Sequence, residues 1–192
     1  VKESFELFKG DVVESYLLFT NPHKFGQSID VRFTPIRVVC NNTLTLSLSK
    51  DVDRMVKKSH RTEFDSASVK EQLGIATDKL AKYKEMAQFL GSKRYTGESL
   101  KVFPVLVYNK EKGPQRKELS KSATRALEVI GLQPGANFAE GSWWQAFNAV
   151  TYLTDHEIGK TADSRLNSAW FGPNKNLKVK ALETAVEMAE MA

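Results

Sequence analysis

Hydrophobic side chains recur with two different periods along this chain, and the change from one to the other limits the folds open to it. Near the start the period is two. Ile29, Val31 and Phe33 alternate with Asp30, Arg32 and Thr34, the pattern of a strand with one buried and one wet face. Val12 to Thr20 (VVESYLLFT) is similarly rich in β-branched and aromatic residues. The turn-forming stretch Asn21-Pro22-His23-Lys24-Phe25-Gly26 separates the two runs. Val12–Thr20 and Ser28–Pro35 are therefore expected to pair as an antiparallel hairpin, with Arg32 on its open face. Arg37-Val38-Val39-Cys40 reads as a short buried strand continuing from it. Leu44, Leu46 and Leu48 then fit either a helical turn capped by Asn41 or Asn42, or a further strand.

Beyond this point the period becomes helical. Leu73, Ala76, Leu80, Tyr83, Ala87 and Leu90 lie on one face of a long helix over 68–90, with Ser68 and Glu71 as a capping box and Gly91 as its stop. A second helix is predicted over 117–130, broken by Gln133-Pro134-Gly135. Ser142 caps a third, with Gln145 three residues on and Trp143, Trp144, Phe147, Val150 and Leu153 along it. A last helix is predicted over 177–191, with Leu182, Val186 and Ala189 on one face. The fold class is α+β: a small antiparallel sheet, made by the N-terminal hairpin and the following strand, with helices packed on one face. Its 192 residues are expected to form one domain over 1–192, the C-terminal part of a longer protein, because the chain begins at Val1.

Hydrophobic residues make up 41% and charged residues 27%, which excludes a disordered chain. The longest apolar run, Val102 to Tyr108, is too short to span a bilayer and contains Pro104. One cysteine, Cys40, rules out an intramolecular disulfide and fits a reducing compartment, hence a cytoplasmic location. The net charge is +5, and it is unevenly spread. From Lys101 to Arg125 seven bases (Lys101, Lys110, Lys112, Arg116, Lys117, Lys121, Arg125) face two acids (Glu111, Glu118), a local +5. Lys175, Lys178 and Lys180 stand together without an acid. Such runs are either solvated faces or surfaces for a polyanion.

Three strings carry a family resemblance: Thr34-Pro35-Ile36-Arg37-Val38-Val39-Cys40-Asn41-Asn42-Thr43-Leu44, Ser59-His60-Arg61-Thr62, and Trp144-Gln145-Ala146-Phe147-Asn148-Ala149-Val150-Thr151-Tyr152 followed by Asp155-His156. In order and spacing they resemble the phage/plasmid-related proteins of domain-of-unknown-function family 932. Phe171-Gly172 before a lysine-containing helix is also similar, whereas Asn41 stands where Gln is more usual. The resemblance implies a mobile element of a bacterial host, a further N-terminal half, and a distant analogy of fold with phage single-strand annealing recombinases. Fold alone does not fix function.

The candidate chemistry is sparse. No phosphate-cradling glycine motif occurs, so no nucleotide cofactor is implied. His23, His60 and His156 are dispersed, and no metal site is expected. Asp155-His156-Glu157 is the one compact cluster of possible ligands, read as a helix end. Cys40 reads as an inert core residue. Arg37 and Arg61 suit either an internal carboxylate such as Asp155 or Glu157, or a phosphate. Trp143 and Trp144, about 100° apart on a helix, read as packing residues, one of them with a claim to an interface.

The leading expectation is a non-enzymatic protein that binds nucleic acid, single-stranded DNA above all, with a homo-oligomer open and no membrane partner. Phosphates would meet Arg32, Lys93, Arg94, Arg116, Lys117, Arg125, Lys175, Lys178 and Lys180, while Tyr95 or Trp170 would stack on bases. The rivals are a protein-interaction or assembly module, and a nuclease or other enzyme using Asp155, His156 and Cys40.

Overall fold

A computed structural model of the chain describes residues 4–20, 29–39, 42–43, 56–58, 80–108 and 119–192. Strands β1 (Ser4–Phe8), β2 (Asp11–Thr20) and β3 (Ile29–Arg37) run as an antiparallel meander. The expected hairpin is β2–β3, with Val13 opposite Arg37 and Thr20 opposite Asp30. Two short strands, β4 (Asn42–Thr43) and β5 (Val56–Lys58), pair with opposite ends of β3. Asn42 is thus strand rather than helix cap. Leu44 and its neighbours, Cys40, Arg61 and His60 lie outside the described residues.

The stretch after Arg37 departs from its expected form. The ladder closes with the Val38 N–H donating to the Val12 carbonyl at 2.9 Å. The chain then turns outward, leaving Val38 and Val39 exposed instead of buried in a strand. β1 was not anticipated by its slightly acidic composition; it extends the hairpin by burying Leu7 and packing Phe5 and Phe8 against the helices.

Among the described residues the helices that follow are α1 (80–92), α2 (Gly97–Tyr108), α3 (Lys121–Val129), α4 (Trp143–Tyr152), α5 (Ala162–Phe171) and α6 (Pro173–Glu190). In α1 the predicted face is the buried one, with Leu80, Tyr83, Ala87 and Leu90 all inside. Gly91 does not stop the helix. Its missing side chain makes room for the Phe8 ring, whose Cζ would lie 2.1 Å from a Cβ there. α3 begins at Lys121, where the Ser120 hydroxyl accepts from the Ala123 N–H at 3.2 Å. α6 begins four residues before its expected start because Pro173 sits at its first turn, where a missing N–H costs nothing.

α4 is the centre of the core. Trp143, Trp144, Phe147 and Val150 are all 0–1% exposed, so both tryptophans pack inside. A helix buried on every side is surrounded by others, here α3, α6 and the 3₁₀ turn Ala136–Ala139. Its cap is the predicted one: the Ser142 hydroxyl accepts from the Gln145 N–H. The Gln145 side chain also accepts from Gly141 N–H at 2.9 Å and from the Tyr95 hydroxyl at 2.7 Å, tying the α1–α2 connection to the cap.

A buried ion pair between two strands of the sheet also touches the helical layer. Arg37, expected to reach Asp155, Glu157 or a phosphate, instead grips Asp11 through Nε at 2.6 Å and Nη2 at 2.8 Å. The β2–β3 register decides this by setting Arg37 opposite Val13, two residues from Asp11. Nη2 also donates to the Gly135 carbonyl at 3.0 Å, and the guanidinium lies 5.7 Å from the Trp144 ring. Gly135, at φ +77°, lets the backbone come this close; a Cβ would sit 2.9 Å from Nη2. Fork-to-carboxylate geometry of this kind offsets the cost of burying a guanidinium in a core.

Candidate functional site

α4 does not end in an ordinary turn. Over Leu153–Glu157 the helix widens by one residue, and the Ile158 N–H donates to the Leu153 carbonyl at 2.7 Å. Widened turns of this kind leave carbonyls short of partners and often mark functional sites. Here Asn174 of α6 supplies the partners, its Nδ2 donating to the Thr154 carbonyl at 2.6 Å and the Ile158 carbonyl at 3.0 Å. Thr154 steadies the other side, its hydroxyl donating to the Thr151 carbonyl at 2.8 Å.

The extra residue aims Asp155, His156 and Glu157 in three directions. Asp155 turns inward, and its Oδ1 accepts from Lys178 Nζ at 2.9 Å. Both side chains are nearly inaccessible, at 6% and 1% exposure. Burial pushes the Lys178 ammonium below the usual lysine range, and Asp155 pulls it partly back. His156 lies 5.0 Å from the Tyr152 ring, at a tilt. Glu157 turns outward to Arg125, accepting from Nε and Nη2 at 2.9 Å each. Those hydrogen bonds hold the Glu157 carboxyl below the ordinary carboxylate range. Burial, with help from Glu157, pushes the Tyr108 hydroxyl well above its usual value.

Between the widened turn and α5 lies a cleft of about 280 Å³. One wall is apolar: Ala162, Leu166 and Ala169, spaced so as to share one face of α5. The opposite wall is Asp155 and His156, and Asp163 and Arg165 complete the lining. Thr161 caps α5 in a reciprocal capping box with Ser164, which fixes the first turn that carries Asp163.

The family model described as Domain of unknown function (DUF932) matches residues 1–170. The chain belongs to this family. No curated protein and no solved structure matches it. The DUF932 match takes in the sheet, α4, the widened turn and nearly all of α5, while Asn174 and Lys178, which hold the turn from behind, lie beyond it. Among the described residues no helix is long and apolar enough to cross a membrane.

The expected phosphate-contacting residues of this DUF932 chain fall into separate groups. Arg116, Lys117 and the side chain of Arg32 lie outside the described residues. Lys178 is wholly buried on Asp155, so its ammonium is turned away from solvent and from any phosphate. The reason is positional: it stands four residues before Leu182 and seven before Ala185, on the buried stripe of α6. Arg125 is exposed, but Glu157 and Glu128 neutralise it. Lys93 and Arg94 lie together in the α1–α2 connection, Lys93 over the Phe89 ring at 5.7 Å. Lys180 is exposed and Lys175 half-buried on the first turns of α6.

The expected stacking rings also divide. Tyr95 packs edge-on against Trp143 at 5.9 Å with its hydroxyl on Gln145, and burial raises its pKa. It serves the core. Trp170 is half-buried, and its neighbour Phe171, 41% exposed, presents the outer ring at an edge-on 6.4 Å.

Proposed function

We propose that this protein is a non-enzymatic nucleic-acid-binding protein of a phage or plasmid, holding single-stranded DNA during recombination or replication. The observation that supports it most is the corner between α5 and α6. There the exposed Phe171 ring, backed by Trp170, is followed four and nine residues on by Lys175 and Lys180. Sequence-tolerant binding of a single strand needs this pairing, because every base offers a face to stack and every phosphate a charge to neutralise. Lys93 and Arg94 supply a second basic pair on the α1–α2 connection.

Fluorescence anisotropy with an unstructured oligonucleotide at several salt concentrations tests this reading. Affinity is expected to fall linearly with salt on logarithmic axes. Phe171→Ala should weaken binding by about 1–3 kcal/mol with the salt slope unchanged, the signature of a lost stacking contact. Lys175→Glu with Lys180→Glu should weaken all sequences alike and flatten the slope. No binding at low salt would end the nucleic-acid reading. An assembly module would then replace it, for which Val102 and Leu106, both about half exposed and one turn apart on α2, are the relevant surface.

A further inference from the structure

We propose that the cleft between α5 and the widened turn receives a single nucleobase bearing an exocyclic amine, of which cytosine fits best. The inference deepens the single-strand reading, since α5 carries both this cleft and, at its end, Phe171.

Charge, shape and size together select the ligand. Asp155 is matched by Lys178, and Asp163 by an Arg165 of opposite sign, so the formal charges around the cleft cancel. A phosphate or a bare ammonium would gain little from such a lining. Among the described residues no group of three metal-ligating side chains occurs either. What the cleft offers is one apolar wall facing polar groups of both kinds. Ala162, Leu166 and Ala169 suit the flat face of a ring. The exposed Asp163 carboxylate accepts from an exocyclic amine, and the Arg165 guanidinium, whose Nη1 donates to the Gly159 carbonyl at 3.3 Å, has further N–H groups for ring nitrogen and carbonyl acceptors. Cytosine carries those groups side by side on one edge. Thymine replaces the amine with a carbonyl and would leave a carboxylate facing an acceptor. A volume of about 280 Å³ lies just under the roughly 300–1,000 Å³ of small-molecule sites and has room for one base.

The floor of the cleft is tied by hydrogen bonds, the kind of support a specific pocket requires. Lys178 holds Asp155 from beneath, and Asn174 fixes the carbonyls on either side of it. These are positioning residues, buried behind the wall.

The test compares oligo-dC with oligo-dT of equal length by anisotropy, for the intact chain and for Leu166→Trp. Leu166 lines the cleft yet is 45% exposed, so the larger ring fills the cleft without entering the core. A preserved melting temperature confirms that the variant is folded, and Asp163→Asn, also at an exposed position, is the second variant. The intact chain should prefer oligo-dC by about tenfold, and both variants should lose the preference at an unchanged salt slope. Equal affinity for the two oligonucleotides overturns the cleft assignment while leaving phosphate-driven binding in place. Should neither bind, the single-strand reading fails, and cytidine alone then decides the cleft. Saturable shifts of the His156 ring signals on adding cytidine, absent in Leu166→Trp, sustain it; no shift overturns it.

Discussion

Two buried ion pairs among the described residues are built for different ends. Arg37–Asp11 is closed on every side: two fork contacts, a third to the Gly135 carbonyl, and aromatic rings above. Lys178–Asp155 is made through the Asp155 Oδ1, beside a cleft whose lining includes Asp155. The cations differ as well. A guanidinium cannot lose its proton in a protein, whereas a lysine driven towards neutrality by burial can. The first pair therefore behaves as a rivet between layers, and the second as a support that tolerates a change of charge.

Removing the carboxylates one at a time should separate them. Asp11→Asn leaves Arg37 charged, buried and missing its counterion, and should cost about 3–5 kcal/mol in urea unfolding at any pH between 7 and 9.5. A cost under 1 kcal/mol would mean that the joint between sheet and helices is held by packing alone.

Asp155→Asn should cost less, about 1–3 kcal/mol at pH 7, because Lys178 can shed its proton. The sign of its pH dependence follows from linkage. Burial lowers the Lys178 pKa from the ordinary 10.5. Between the two values the unfolded chain binds the extra proton and the folded one does not, so stability rises with pH across that window. Without Asp155 the folded pKa drops further and the window opens at lower pH. The penalty of Asp155→Asn should accordingly shrink from pH 7 to pH 9.5, while that of Asp11→Asn stays level. Tyr95 and Tyr108, whose raised pKa values make stability fall above about pH 10, act equally in both proteins. Parallel pH profiles for the two variants would erase the distinction.

The smallest effect belongs to the third pair. Arg125→Ala breaks contacts that lie at the surface, and its effect on the melting temperature should disappear at high salt. A loss that persists in salt would place Glu157 in the support of the widened turn with Asp155.

The same contrast explains what the amino-acid pattern made legible. Local signals spoke clearly where one element decides its own form. The Ser142–Gln145 cap, the β2–β3 hairpin and the buried stripe of α1 all follow from residues close in sequence. α2 did not, because Pro104 reads as a breaker; burial of Phe103, Pro104 and Val107 outweighs the missing N–H. α5 was hidden by its weak apolar pattern, although Thr161 and Ser164 hold a capping box without the usual Glu or Gln. The Arg37–Asp11 pair joins residues 26 positions apart, and its partner was beyond local inference. Lys178 was within reach, since a lysine in register with Leu182 and Ala185 must either be buried or break the stripe. The cleft was not, because its walls meet only when α5 folds back over the widened turn.

The place of α6 in the core also sets an order of events during synthesis. Phe147 and Val150 of α4 share one cluster with Ala181, Leu182, Ala185 and Ala189 of α6, which the ribosome makes later. At about 5–20 residues per second, α4 exists for a few seconds before its cover is complete. Throughout that interval a largely apolar helix lacks one of its walls and the widened turn lacks Asn174.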